Sequence, residues 1–150
     1  MVDELRRRFL GKEYPAFSVE VEKGRIAQFA RSIGESNPIH FDVDAAKSQG
    51  FKGIPAPLTF AFTITMDAGQ SVNVLEDMGV DKAKAVHGAQ GFEYFDQIYA
   101  GDTITGVQKI TDVYDKKNGA LIFFETRTRL ENQECAHVAD LHSVIVIRNH

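Results

Sequence analysis

The sequence has few of the features that mark secreted, membrane or disulfide-bonded proteins. Its one cysteine, Cys135, excludes an internal disulfide bond and any metal site built from several cysteines. The longest apolar stretch, residues 57–68, is interrupted by three threonines and an aspartate, so it is too short and too polar to span a bilayer. The charged first residues carry no apolar segment of the signal-peptide kind. We therefore expect a cytoplasmic protein that binds no membrane.

The chain also lacks an excess of positive charge and the usual motifs for phosphate or metal ions. Its net charge is −4 at pH 7, which predicts no binding to nucleic acid or to an anionic membrane surface. It has no glycine-rich phosphate loop. His137 and His142 are separated by an odd number of positions on a predicted strand, so we expect them on opposite faces and not as a metal pair.

The size and composition of the chain are those of one ordinary globular domain. It has 150 residues, of which 43% are hydrophobic and 25% are charged. That length is sufficient to bury a substantial core. We find no internal repeat and no linker of biased composition, and we therefore predict a single domain over residues 1–150.

Helical periodicity dominates the first half of the chain. Ile26, Phe29, Ala30 and Ile33 have the spacing of one apolar stripe on a helix that begins near Lys23. The following Gly34 is the type of residue that ends a helix. The other elements predicted here are a charged helix at 3–10, a strand at 17–21, a short helix at 45–49 capped by Asp42 or Asp44, and a buried central helix from Leu58 to beyond Met66.

After Gly79 the pattern changes to that of β-strands. We predict four strands, near 84–95, 103–114, 120–131 and 136–148. Between the second and third of them, Asn118 and Gly119 are suited to the positive φ values of a type I′ turn. The order of elements predicts an α+β fold with one apolar helix against an antiparallel sheet.

A polar loop after the first amphipathic helix carries the most informative chemistry. Glu35 and His40 lie five residues apart, Pro38 stiffens the loop between them, and Asn37 can hold it through local hydrogen bonds. A rigid loop keeps two titratable groups at a fixed separation, as acid–base catalysis requires. On spacing alone, a helix-ending loop with a surface histidine is the simpler interpretation.

Three segments of the chain resemble one enzyme family. The run G-E-S-N-P-I-H at residues 34–40 is similar to the pattern G-D-x-N-P-x-H of the MaoC-like, (R)-specific enoyl-CoA hydratases. Residues 53–60 resemble the G-x-x-A-P-x-T-F start of the central helix in the branch related to the dehydratase region of fungal fatty acid synthase. Residues 86–94 and 100–102 resemble the strand and turn that follow. The resemblance covers residues 14–148.

This resemblance implies a hot-dog fold, in which an antiparallel sheet wraps around a long central helix, and a hydratase or dehydratase activity on acyl thioesters. It assigns His40 as general base toward water, and Glu35 as the acid that orients the water and supplies a proton to the α-carbon. Asn37 would position the loop or the water. The family aspartate is Glu35 here. A displacement of the acid by one methylene can lower the rate about a hundredfold.

The resemblance also implies the remaining parts of the site and its partners. The backbone N–H of Leu58, at the start of the central helix, would bind the thioester oxygen. No cofactor is implied, because the substrate arrives on coenzyme A or on an acyl carrier protein. The expected assembly is a homodimer or higher homo-oligomer, or a heterodimer with a second MaoC-like subunit.

Two other functions stay open at this point. A hot-dog thioesterase would carry its carboxylate on the central helix, where Asp67 is the only acidic residue between Leu58 and Ser71 and lies late in the helix. A non-catalytic partner subunit would explain Glu35 in place of the aspartate. His87 could line an acyl channel or a subunit contact, although a structural histidine is the simpler interpretation.

Overall fold

The computed structural model describes residues 1–149 as an antiparallel sheet with helices packed on one of its faces. The helices are α1 (Val2–Phe9), α2 (Lys23–Ser32), α3 (Val43–Ser48), α4 (Phe60–Asp67) and α5 (Asn73–Met78), and the short 3-10 turns are Pro38–His40, Gln70–Val72 and Lys82–Lys84. The strands are β1 (Phe17–Glu20), β2 (Ala85–Tyr94), β3 (Thr103–Lys116), β4 (Leu121–Glu131) and β5 (His137–Arg148).

The five strands form one antiparallel sheet in the order β1-β3-β4-β5-β2. All four strands predicted after Gly79 are present, and their ends lie within two residues of the predicted limits. At the β3–β4 turn, Asn118 and Gly119 have φ values of 53° and 82°, and the Ala120 N–H donates to the Lys117 carbonyl over 3.2 Å. These are the features of the type I′ turn that the sequence predicts. The predicted α+β layout is therefore confirmed.

The core between sheet and helices is divided into two apolar clusters. One cluster joins α2 and α4 to the sheet and includes the buried Ile26, Phe60 and Ile64. The other lies under α1 and α5 and includes Phe9 and Val74. Buried polar residues of the sheet, which include Gln108, Thr126 and Thr128, belong to neither cluster.

The central helix α4 is shorter than the sequence predicts. It spans only Phe60–Asp67, and Leu58 lies in the turn before it. Gly69, with a φ of +75°, ends the helical path and redirects the chain into the turn that leads to α5, a helix that the sequence analysis does not predict. The predicted central helix is therefore present, and it begins two residues later than predicted. Ile33 also departs from the predicted stripe, because it caps α2 and is exposed.

Gly106 of β3 lies opposite Phe17 of the paired strand β1 and has no room for a side chain. A Cβ atom there would lie 2.8 Å from Leu130 Cδ2 and closer still to the ring of Phe17. By contrast, a Cβ atom on Gly24, inside α2, would have no heavy atom within 4 Å. The two glycines therefore form a matched pair, one crowded and one free.

We predict that Gly106→Ala lowers the free energy of unfolding by about 1–3 kcal/mol, because the added methyl group forces Phe17 and Leu130 apart. Gly24→Ala should instead raise it by about 0.5–1 kcal/mol, since alanine is the better helix residue. Urea denaturation of both variants beside the wild type measures the difference. Equal stability of Gly106→Ala and wild type would contradict the packing described for β1.

Candidate active site

The end of α2 fixes the backbone of Glu35. The Gly34 N–H donates to the Arg31 carbonyl over 3.2 Å, and the Glu35 N–H donates to the Ala30 carbonyl over 2.9 Å. Gly34 adopts a φ of +74°, which glycine tolerates without strain. This pair of bonds with a left-handed residue is a Schellman motif. Gly34 thus ends the helix as the sequence predicts, and Glu35 is the first residue directed by that turn.

The carboxylate of Glu35 folds back onto its own loop. Its Oε1 accepts a hydrogen bond from the Asn37 N–H over 2.8 Å. This bond is the main reason that the pKa of Glu35 lies below its ordinary value, against the opposing effect of partial burial. The positive charge of a protonated His40 would lower the pKa of Glu35 further, so the two groups are electrostatically coupled. Glu35 is therefore a carboxylate at neutral pH.

His40 is held in one orientation. It ends a 3-10 turn, Pro38–His40, whose first N–H groups are capped because the Asn37 Oδ1 accepts from the Ile39 N–H over 3.2 Å. The imidazole is buried, with 8% of its surface exposed, and its Nδ1 lies 2.7 Å from the Pro55 carbonyl oxygen. A carbonyl only accepts, so Nδ1 carries the proton and the neutral ring keeps its lone pair on Nε2.

The Pro55 carbonyl is itself fixed by the sheet. The segment around it pairs with the chain just before β3: the Ala56 N–H donates to the Ile98 carbonyl over 2.8 Å, and the Ala100 N–H donates to the Ile54 carbonyl over 2.9 Å. Pro55 also forms an isolated antiparallel bridge with Tyr99. The imidazole orientation is therefore transmitted from the sheet and does not depend on the loop alone.

The amide of Leu58 lies three residues beyond Pro55, in the turn before α4. Among residues 1–149, this N–H donates to no hydrogen-bond acceptor. The preceding Pro57 has no N–H, so Leu58 is the first donor at the entrance of the helix. The residue is 60% exposed, which leaves its backbone accessible to a ligand.

A cavity of about 270 Å³ lies between the end of α4 and the inner face of the sheet. His87 lines it, and its ring packs 5.1 Å from the ring of Phe62. Three buried polar residues that the sequence analysis missed line it too, namely Gln70, Gln108 and Thr128. The sequence could have identified Gln108 by its position on β3. It lies between Ile104 and Ile110 at an even spacing from both, so it shares their buried face.

Histidines of β5 do not lie as predicted. A register shift leaves Val138 unpaired between His137 and Ala139, so the alternation of faces is interrupted. The His137 Nε2 lies 2.7 Å from the Asp140 Oδ1, and the His142 Nε2 lies 3.2 Å from the Glu93 Oε1. Arg127 joins these two carboxylates, so both histidines belong to one network on one face. The expectation of opposite faces is therefore wrong.

Asp67, the carboxylate on which a thioesterase would depend, is paired at the protein surface. The Arg25 Nε and Nη2 donate to its two oxygens over 3.1 and 2.9 Å. A bidentate pair of this kind holds both oxygens. Asp67 also lies at the last position of α4, away from the Leu58 entrance. This placement does not favour the thioesterase hypothesis.

Comparison with known proteins identifies one family and several relatives of similar length. Residues 8–141 match the family model described as FAS1-like, dehydratase domain region. A UPF0336 protein of Streptomyces avermitilis is 31% identical over 145 residues, which cover 96% of this chain and 95% of that protein. A UPF0336 protein of Saccharopolyspora erythraea is 32% identical over 145 residues, with 96% and 92% covered.

Solved structures show the same fold. The HadBC (3R)-hydroxyacyl-ACP dehydratase complex of Mycobacterium tuberculosis superposes with a TM-score of 0.74 at 24% identity, and the match covers 92% of this chain and 96% of that one. The R-hydratase PhaJ1 of Pseudomonas aeruginosa gives a TM-score of 0.70 at 18% identity, with 94% and 83% covered. The hot-dog fold and the resemblance to MaoC-like proteins are thereby confirmed. Among residues 1–149, no helix is long and apolar enough to cross a membrane.

We predict that Asn37→Ala lowers the free energy of unfolding by about 1 kcal/mol, because the cap of the 3-10 turn is lost. The Ile39 amide, which bonds to the Asn37 side chain, should then exchange its hydrogen faster. Chemical denaturation and hydrogen exchange measure the two effects. Ser36→Ala is the control, since only the backbone of Ser36 bears on Glu35. Unchanged exchange at Ile39 would contradict the capping role of Asn37.

The network on β5 generates a pH-dependent prediction. Burial alone would raise the pKa of Asp140, but hydrogen bonds from Arg127 and His137 outweigh it and hold that pKa below its usual value. The ionised carboxylate therefore stabilises the fold above its unfolded pKa of about 3.9, and this contribution is lost as the pH falls through the folded value.

We expect Asp140→Asn to be less stable than wild type by about 1–3 kcal/mol at pH 7, with the difference shrinking below about pH 4. Urea denaturation between pH 3 and 7 measures the difference. Glu93→Gln, which alters an exposed neighbour on the same face, is the matched control. A constant difference at every pH would exclude the assigned role of the Asp140 charge.

Proposed function

The chain belongs to the FAS1-like dehydratase domain region family, and we propose that it hydrates trans-2-enoyl thioesters, or dehydrates (3R)-hydroxyacyl thioesters, in the cytoplasm. The observation that carries this proposal is the orientation of His40. Its Nδ1 is committed to the Pro55 carbonyl, so Nε2 is the free basic nitrogen, and the coupled Glu35 rests as a carboxylate. Activation of water requires a free base and an ionised carboxylate, and the loop of residues 35–40 carries one of each.

In the hydration direction, the His40 Nε2 accepts one proton of a water molecule. At the same time, the oxygen of that water bonds to the β-carbon of the enoyl thioester. Glu35 accepts a hydrogen bond from the other O–H and orients the water. Because Glu35 is ionised at rest, it has no proton of its own to give. The proton taken up by His40 therefore passes to the α-carbon, directly or through Glu35, and both groups return to their starting states.

Negative charge develops on the thioester oxygen during this addition and needs a donor already in place. The unpaired N–H of Leu58 supports this assignment, since it lies at the helix entrance three residues from the carbonyl that orients His40. Asn37 acts on the loop through its cap and its backbone bond to Glu35. The domain of residues 1–150 requires no cofactor in this proposal, because coenzyme A or an acyl carrier protein carries the substrate.

The bond from the Asn37 amide also bears on the glutamate in place of the family aspartate. A longer side chain would be expected to shift the acid and reduce the rate. Here the extra methylene is accommodated by folding the carboxylate back onto the loop. This geometry supports an active enzyme, which we propose works as a homodimer or higher homo-oligomer.

The test is the loss of enoyl-thioester absorbance with crotonyl-CoA and longer trans-2-enoyl-CoAs. We expect His40→Ala and Glu35→Gln each to lower kcat/KM by about a hundredfold or more. Gln keeps an oxygen for the Asn37 amide, so Glu35→Gln removes the charge and retains the loop. Ser36→Ala serves as the control and should match wild type. Wild-type rates in the His40 variant would refute the acid–base assignment.

A non-catalytic partner subunit is the second candidate. Two heteromeric assemblies, HadBC and the ChsH1–ChsH2 complex of Mycobacterium tuberculosis, are among the proteins of the same fold. This hypothesis predicts an inactive purified chain that gains activity, or passes it to a partner, only with a second MaoC-like chain. Co-purification from the native host and assay of each component distinguish the two cases. An active homo-oligomer would exclude the partner-only role.

A further inference from the structure

The cavity beside α4 is mainly apolar, but one wall carries polar groups that an acyl channel for plain hydrocarbon chains does not require. Its apolar walls come from residues such as Phe62, Leu141 and Ile145. Gln70, Gln108 and Thr128 also line it, and each of these three is at least nine-tenths buried. Buried polar groups lower the stability of a protein unless they find hydrogen-bond partners, so their concentration here needs an explanation.

Asn73 sets the orientation of the two glutamines. Its Nδ2 donates one hydrogen to the Gln70 Oε1 over 2.9 Å and the other to the Gln108 Oε1 over 3.1 Å. Both glutamine carbonyls are thereby turned toward Asn73, and both NH2 groups are turned away from it. The carboxamides therefore offer donors, rather than acceptors, to an occupant of the cavity.

Most of these donors have no strong partner within the protein. Among residues 1–149, the Gln108 Nε2 and the Thr128 hydroxyl make no hydrogen bond, and the Gln70 Nε2 makes one long bond of 3.4 Å to the Ala68 carbonyl. No fully buried side-chain nitrogen or oxygen of these residues lacks a partner, so the unbonded donors reach the surface of the cavity. Gln108 and Thr128 are neighbours, because they are paired across β3 and β4. Two adjacent donors with 4% exposure thus lie at the wall of a cavity with no acceptor supplied by the fold.

The cavity lies beside α4, beyond the turn that holds Leu58. Leu58, Phe62 and Met66 share one face of the helix and its entrance turn, since they are four residues apart. Phe62 and Met66 line the cavity, and they follow Leu58 by four and eight residues along the chain. A thioester held at Leu58 would therefore bring the middle of its acyl chain to the polar wall.

We propose that this cavity selects acyl thioesters that carry an oxygen acceptor several carbons from the thioester, and that Gln108 and Thr128 donate to that oxygen. The inference rests on the proposed function, because it takes the thioester to bind at Leu58. A neutral oxo group fits two neutral donors. The ammonium group of Lys82, which also lines the cavity, could instead receive a carboxylate at the end of the chain.

Saturated thioesters test the inference by binding alone, because they cannot be hydrated. Calorimetric titration would compare octanoyl-CoA with 7-oxooctanoyl-CoA and with the mono-CoA thioester of octanedioic acid. We expect the oxo compound to bind about five- to tenfold more tightly than octanoyl-CoA, the gain of one or two neutral hydrogen bonds. Tightest binding by the carboxylate compound would retain the acceptor site and assign Lys82 to it.

Two threonines of β4 provide matched variants. Thr128 lines the cavity, whereas Thr126 is equally buried on the same face and does not line it. Thr128→Val and Gln108→Met should remove most of the preference for the oxo compound, and Thr126→Val should keep it. The thermal midpoint of each variant, measured beforehand, identifies one that fails to fold; the wild-type comparison needs no variant.

The other results are distinguishable from one another. Equal binding of octanoyl-CoA and 7-oxooctanoyl-CoA would overturn the inference and leave the proposed function standing, since water would then satisfy the donors. Loss of preference in Thr126→Val as well as in Thr128→Val would overturn the assignment to the cavity wall. If none of the three thioesters binds, the inference and the proposed binding of thioesters at Leu58 both fail.

Discussion

The hydrogen bond between the His40 Nδ1 and the Pro55 carbonyl is the constraint on which the rest of the site depends. It joins the loop after α2 to the segment that leads into α4, fifteen residues later. His40 is buried, and the Pro55 carbonyl is fixed because its segment pairs with residues 98–100. The bond therefore determines which ring nitrogen of His40 carries the proton as well as where the ring lies. Without this hydrogen bond, the position of the His40 Nε2 relative to the free amide of Leu58 would not be fixed.

Around that bond, backbone groups rather than other charged side chains set the electrostatics of the site. The Asn37 N–H holds the Glu35 carboxylate, the Pro55 carbonyl holds the imidazole, and the Leu58 N–H is left unpaired. Backbone dipoles are positioned by the fold and cannot rotate away, so such a site is organised before a ligand arrives. At the position where the family has an aspartate, the loop amide of Asn37 determines where the Glu35 carboxylate lies.

Local signals predicted much of this molecule, and contacts between distant segments were beyond them. Asn118 and Gly119 specify a turn, and Gly34 specifies a helix end, because the positive φ values that they need are a property of the residues themselves. The extra residue at Val138 and the polar wall at Gln108 depend on how strands pair, which no single segment encodes. The motif predicted Glu35 and His40 as site residues, but it gave no indication of the Pro55 carbonyl that orients the ring. The break after α4 does have a local signal, because Gly69 follows the apolar run and adopts a positive φ.

The position of β2 in the sheet has a consequence for folding during synthesis on the ribosome. β2 pairs only with β5, so Ala85 meets Ile147 at the end of the chain, although the two strands are separated in sequence by both β3 and β4. The β3–β4 hairpin can form as soon as it emerges, but β2 has no pairing partner until β5 has been synthesised. During that interval the wall of the cavity formed by β2 and β5 is absent, and the apolar face of α4 is uncovered. Nascent chains would therefore be most prone to chaperone capture late in synthesis, after α4 has emerged and before β5 has.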